Sequence, residues 1–175
     1  MEELVNVLTE QGENTGKIMS KLETHKNGIC HGVSVVAIID NNGKLLIQKR
    51  AKNKKTEPGK WDLSAAGHID VGETPEDAAI RETYEEIGVI ANKDELIKVT
   101  TYLCKIRLNE DTFINHYTYL YVIKKNNIDI TKIKKQDSEV DEIKLVSLKE
   151  YQDLFNNNEM VEGAKYCVDV LKYMK

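Results

Sequence analysis

The chain has 175 residues, 41% hydrophobic and 31% charged, with a formal net charge of -4. This balance predicts one globular domain with a sizeable core and gives no general attraction for nucleic acid. Three scattered cysteines, Cys30, Cys104 and Cys167, form no CxxC pair. That excludes a cysteine-built zinc site and suits a reducing compartment. No stretch has the length of a transmembrane helix, and MEELVNVLTE lacks the basic and apolar regions of a secretory signal. A cytoplasmic protein is expected.

In chain order, LVNVLTEQGENTGKIMSK reads as an N-terminal β-hairpin, and KLETHKNGICHG as a lead-in. Together they set residues 1–28 apart from a main domain at 29–175. The run VSVVAIID, the turn NNGK and LLIQKR form a second hairpin placed in the core sheet. AKNKKTEPGK is a polar, basic loop, and WDLSAAG a short segment ending in small residues. A helix then starts with Thr74 as cap and Pro75 in its first turn, and stops at Gly88. ELIKVTTYLCKIRL and DTFINHYTYLYVIKK predict two strands joined by a polar turn, and EIKLVSL a further strand. SLKEYQDLF and MVEGAKYCVDVLKYMK predict helices, the second packing Val161, Ala164, Cys167, Val168 and Leu171 on the sheet. Strands and helices do not alternate regularly. The expected class is α+β, an α/β/α sandwich with a mixed sheet, rather than a doubly wound parallel fold.

The helix over 75–87 is chemically unusual. Glu82, Glu85 and Glu86 fall at steps of three and four, on one face, with Ile80, Tyr84 and Ile87 expected to pack on the other. Like charges at these spacings repel, and at the C-terminal end the helix dipole opposes them as well. Arg81 can reach back to Glu73, and the glycine-bearing loop AAGHIDVGE lets backbone approach a ligand. A divalent cation would turn the repulsion into coordination. Clustered carboxylates suit Mg²⁺ or Mn²⁺, with phosphate oxygens and water completing the shell.

The stretch GHIDVGETPEDAAIRETYEEIGV resembles the Nudix box, G-x5-E-x7-R-E-U-x-E-E-x-G-U. Gly67, Glu73, Arg81, Glu82, Glu85, Glu86, Gly88 and Val89 match in register, and Thr83 departs from the first apolar position U. The resemblance implies a Nudix α/β/α sandwich over 29–175 and hydrolysis of a diphosphate joined to another group. It implies that Glu82, Glu85, Glu86 and the backbone carbonyl of Ala66 hold the metal, with Glu82 or Glu86 taking part in catalysis. Gly67, Glu73 and Arg81 would support the box. Family members often use a further glutamate outside the box. Glu139 is the candidate base there, with Glu142 second.

HGVSVVAIIDNNGKLLIQKR and PGKWDLSAAGHIDVGE also resemble the Nudix branch that contains isopentenyl-diphosphate isomerase. Ala66 replaces that enzyme's catalytic cysteine, FINHYTYLYV lacks its acidic pair, and the box here is intact where the isomerase's is degenerate. These departures favour hydrolysis. His25, His31 and His68 echo the isomerase's metal-binding histidines, and read either as a metal trio or as hydrogen-bonded imidazoles. Cys30, beside His31, reads as a packed thiol. Lys49, Arg50, Lys52, Lys54, Lys55 and Lys60 read either as a phosphate-binding set, with Arg50 and Lys60 as substrate ligands, or as a solvated basic loop. Trp61, Tyr102, Tyr117 and Tyr119 offer stacking surfaces or core packing. The expected partner is a small diphosphate substrate, a nucleoside diphosphate derivative or a relative of one. The N-terminal hairpin offers a surface for a homodimer. An isomerase and a non-catalytic nucleotide-sensing domain are the competing readings.

Overall fold

A computed structural model describes residues 3–175; Met1 and Glu2, part of the segment read as lacking a secretory signal, lie outside the described residues. The first hairpin is β1 (Leu4–Leu8) and β2 (Asn14–Ser20), followed by α1 (Lys21–Asn27). Next come β3 (His31–Asp40), β4 (Leu45–Arg50), β5 (Trp61–Asp62), β6 (Ala65–His68) and α2 (Pro75–Ile87). The chain continues through β7 (Ile97–Asn109), β8 (Thr112–Lys125), β9 (Val140–Val146) and α3 (Leu148–Asn156).

β3 is the central strand, and its sequence explains why. Every residue from His31 to Ile39 is buried, as an apolar β-branched run predicts for a strand covered on both faces. β8 runs parallel to it, from His31 opposite His116 to Asp40 opposite Lys125. β6 is antiparallel to its first half and β4 to its second half. β1 joins through Val7 opposite His31, so the N-terminal hairpin extends the same layer. β9 pairs with β4, and β7 with β8.

Alternate residues of β3 feed two cores. Val36 and Ile38 pack with Ala79, Ile87, Tyr121 and Ile123 beneath α2. Val33, Val35, Ala37 and Ile39 pack on the other face against Tyr151 of α3 and the C-terminal segment. A mixed sheet between two helical layers is the α+β sandwich that the sequence predicts.

Two elements differ from expectation. KLETHKN is helical rather than irregular. It lacks an apolar stripe, and only its ends mark it: Ser20 accepts from the backbone N–H of Glu23, and Gly28 takes a left-handed conformation with φ 63°. The C-terminal segment forms two 3₁₀ helices, Glu162–Tyr166 and Val168–Tyr173, not one α-helix. Its buried residues Val161, Ala164, Cys167 and Val170 recur every third position, the period of a 3₁₀ turn, while Val168 is 55% exposed.

Candidate active site

α2 is built as its punctuation predicts. Thr74 accepts from Asp77 N–H, Asp77 accepts from Thr74 N–H, and Gly88 closes the helix in the left-handed region. Its buried stripe is Ala78, Ala79, Thr83, Glu86 and Ile87. Tyr84 is 60% exposed, contrary to the expected packing, because the stripe passes through Thr83 and Glu86 instead. Thr83 is tolerated in the core because its hydroxyl donates to the Ala79 carbonyl at 2.7 Å.

The three glutamates therefore sit at graded depth. Glu85 is half exposed, Glu82 mostly buried, and Glu86 only 7% exposed. Oε2 of Glu86 accepts from Nε2 of Gln48 at 2.7 Å and from the Ala66 N–H at 3.0 Å. Burial, reinforced by the charge of Glu82, pushes the Glu86 carboxyl up to about 8. Burial also raises Glu82, against the pull of Arg81. A cation placed here would relieve both penalties, so these donors fit a hard divalent ion.

Arg81 ties the helix to the loop. Its Nε and Nη2 donate to the two oxygens of Glu73 at 2.7 and 2.8 Å, a bidentate fork. Nη2 also donates to the His68 carbonyl at 2.9 Å, and Nη1 to Glu82 at 2.7 Å and Glu85 at 3.2 Å. The fork lowers the Glu73 carboxyl below its ordinary value.

Arg81, Glu82, Glu85 and Glu86 face a cavity of about 830 Å³. Glu82, Glu85, Glu86, Ala66, Gly67, Glu139, Arg50, Lys54 and Lys55 all line it. Glu139 is ion-paired with Lys54. Arg50 donates to the carbonyl and hydroxyl of Thr56, both at 3.0 Å from Nη2, and its Nη1 lies 3.6 Å from Asp62. Lys60 lies outside the lining and pairs with Glu57 at 3.5 Å, and Glu142 is exposed on β9. Of the aromatics, Tyr102 reaches the cavity. Tyr117 and Tyr119 alternate with His116 and Thr118 along β8, and it is the latter pair that lines the cavity.

Three residues of the site escape sequence reasoning. Gln48 stands out only as a polar residue closing the apolar run LLI of β4, and it is buried. Asp62 has no local signal; burial raises its carboxyl, and Arg50 opposes the rise. His116 joins His25, His31 and His68, and a ligating atom of each lies within 4.8 Å of all the others. Burial lowers all four imidazoles, His31 to about 4. Cys30 is buried, with its thiol raised by burial, as a packed thiol should be.

Comparison with known proteins agrees with this geometry. The family model described as the NUDIX domain matches residues 30–167. Nudix hydrolase 3 of Arabidopsis thaliana is 35% identical over 90% of this chain, which spans 21% of that larger protein. Isopentenyl-diphosphate Delta-isomerase 2 of Photorhabdus laumondii is 31% identical over 90% of this chain and 84% of its own length. A crystal structure from Deinococcus radiodurans shares the fold, with a TM-score of 0.70 at 16% identity, covering 95% of this chain and 97% of the other. With the box intact and folded around its cavity, the chain belongs to the NUDIX family and is a Nudix hydrolase.

Proposed function

We propose that this chain is a Mg²⁺- or Mn²⁺-dependent hydrolase that cleaves the diphosphate linkage of a nucleoside diphosphate derivative or a related small pyrophosphate. One observation carries the reading: the buried glutamates of α2 and the cations Arg50, Lys54 and Lys55 line the same cavity. Glu82, Glu85, Glu86 and the Ala66 carbonyl would hold the ion. Once bound, it neutralises phosphate charge and activates water. Arg81 and Glu73 fix the carboxylates in place. Arg50 and its lysine neighbours orient the diphosphate, and Glu139 or a box glutamate accepts the proton from the attacking water. Lys60, outside the lining and paired with Glu57 at the cavity wall, would act only through movement of its loop.

The three buried, unpaired cysteines support a reducing, cytoplasmic setting, and no helix among the described residues is long and apolar enough to cross a membrane. The N-terminal hairpin, residues 1–28 with its lead-in, is proposed as the dimer surface.

A hydrolysis screen, read by chromatographic separation of each substrate from its phosphomonoester, pyrophosphate or phosphate products, tests the reading. The panel covers nucleoside diphosphates and triphosphates, nucleotide sugars, dinucleotides and prenyl diphosphates, with Mg²⁺ and with Mn²⁺. Metal-dependent turnover that Glu86→Gln abolishes is the expected result. Isomerisation of a prenyl diphosphate without hydrolysis of any substrate, or tight nucleotide binding without turnover, would overturn it.

A further inference from the structure

The four histidines form a second cluster of ligand atoms, all nitrogen; His25, His68 and His116 line the same cavity as the box carboxylates, and the four come from four different elements. His25 lies on α1, His31 opens β3, His68 ends β6 and His116 lies within β8. In the parallel register of β3 and β8, His31 stands directly opposite His116.

Their nitrogens are arranged for a shared ligand. Nε2 of His25 lies 3.2 Å from Nε2 of His68 and 3.3 Å from Nε2 of His116. Two imidazole nitrogens bound to one tetrahedral ion at about 2.0–2.1 Å stand about 3.3–3.4 Å apart. A single ring nitrogen carries either a proton or a lone pair, so one directed hydrogen bond from His25 leaves the second neighbour unserved. His31 adds an independent sign. Its Nδ1 lies 2.8 Å from the Ile29 carbonyl and must donate to it, which leaves a lone pair on Nε2. That Nε2 is fully buried and has no hydrogen-bond partner. An orphaned buried acceptor is costly unless something binds it.

We propose that His25, His31, His68 and His116 form an all-nitrogen site for one divalent transition ion of the Zn²⁺ class, distinct in its ligand atoms from the oxygen-rich box that shares its cavity. Neutral imidazoles favour Zn²⁺, Co²⁺ or Ni²⁺ over Mg²⁺, whereas the carboxylates of α2 favour Mg²⁺ or Mn²⁺. The site differs from the one the isomerase resemblance implies, because a fourth histidine stands on the late strand where that enzyme places acids. Four protein ligands leave no open position, so the role is structural. The ion pins α1 beside the cavity and fixes His68, whose carbonyl accepts from Arg81 at 2.9 Å.

The test is metal binding to the full chain, measured by competition with a chromophoric chelator and by the visible spectrum of the Co²⁺ form, in excess Mg²⁺. Wild type should hold one Co²⁺ or Zn²⁺ per chain with a tetrahedral spectrum, and the double variant Glu85→Gln, Glu86→Gln should do the same. His116→Ala and His25→Ala should each weaken binding by at least the about 10- to 100-fold that loss of an outer-shell partner costs. His25 lies on the short, partly exposed α1, so its variant decides the matter if His116→Ala does not fold. Absence of a bound ion in wild type would overturn the proposal. So would loss of the ion in the glutamate variant, or its retention in a folded His25→Ala protein.

Discussion

Gly67 leaves the space that the Glu82 carboxylate fills: a Cβ built on Gly67 would overlap the carboxylate carbon and Oε1 of Glu82. The box glycine and Glu82, the glutamate directly after the box arginine, are thus two halves of one contact between β6 and α2.

Gly67→Ala should therefore push Glu82 out of place while leaving the fold intact, since a glutamate side chain can swing aside. A displacement of about 1 Å at a reacting centre can cost about 100-fold in rate. The expected outcome is a fall in kcat of more than about tenfold with an unfolding midpoint close to wild type. Unchanged turnover would show that the position of Glu82 does not matter.

The Arg81–Glu73 fork predicts that lysine cannot replace the arginine. Lys has one point charge and cannot span both oxygens of Glu73 or reach the His68 carbonyl at the same time. Arg81→Lys should cost about 1–2 kcal/mol in urea unfolding, the partial exposure of the pair weakening the interaction. Activity should drop with it. An Arg81→Lys protein as stable and active as wild type would mean that the loop is held by other contacts.

Glu86 sets a pH dependence in metal-free protein. Its carboxyl is raised from an ordinary 4.5 to about 8, chiefly by burial. Below about 4.5 both folded and unfolded chains hold the proton, so pH has no effect there. Between about 4.5 and 8 only the folded chain holds it, so stability falls as pH rises through that window and levels off above it. In a chelator, Glu86→Gln should gain on wild type in unfolding midpoint from about pH 5 to 8. Mg²⁺ must expel the same proton, so its affinity should climb over the same range. Parallel wild-type and variant curves would count against a buried, protonated Glu86.

Thr83 is the one soft departure from the box pattern, and the structure explains why it is harmless. Its hydroxyl turns back to the Ala79 carbonyl, which as a helical acceptor does not depend on it. Thr83→Val, nearly the same shape, should be neutral or stabilising by up to about 1 kcal/mol. A large loss of stability would show that the hydroxyl has another task.

The spacing R-E-T-Y-E-E, with its cap and its stop glycine, decides locally which carboxylates share a helix. The long apolar run of β3 likewise marks a doubly covered strand wherever it is placed. These features are short-range, so they are legible in sequence. The depth of each glutamate is not: Glu86 lies under Ala66 and Gln48 only because β6 and β4 are stacked beside α2. Nor is the partner of a strand. His116 meets His31 through a parallel pairing across about half of the chain, chosen by burial of both faces of the sheet rather than by any local signature. Helical period and turn chemistry act over a few residues, and they placed the box. Long-range strand register, settled by the collapse of two cores on one sheet, brought the fourth histidine, Asp62 and Glu139 to the same cavity.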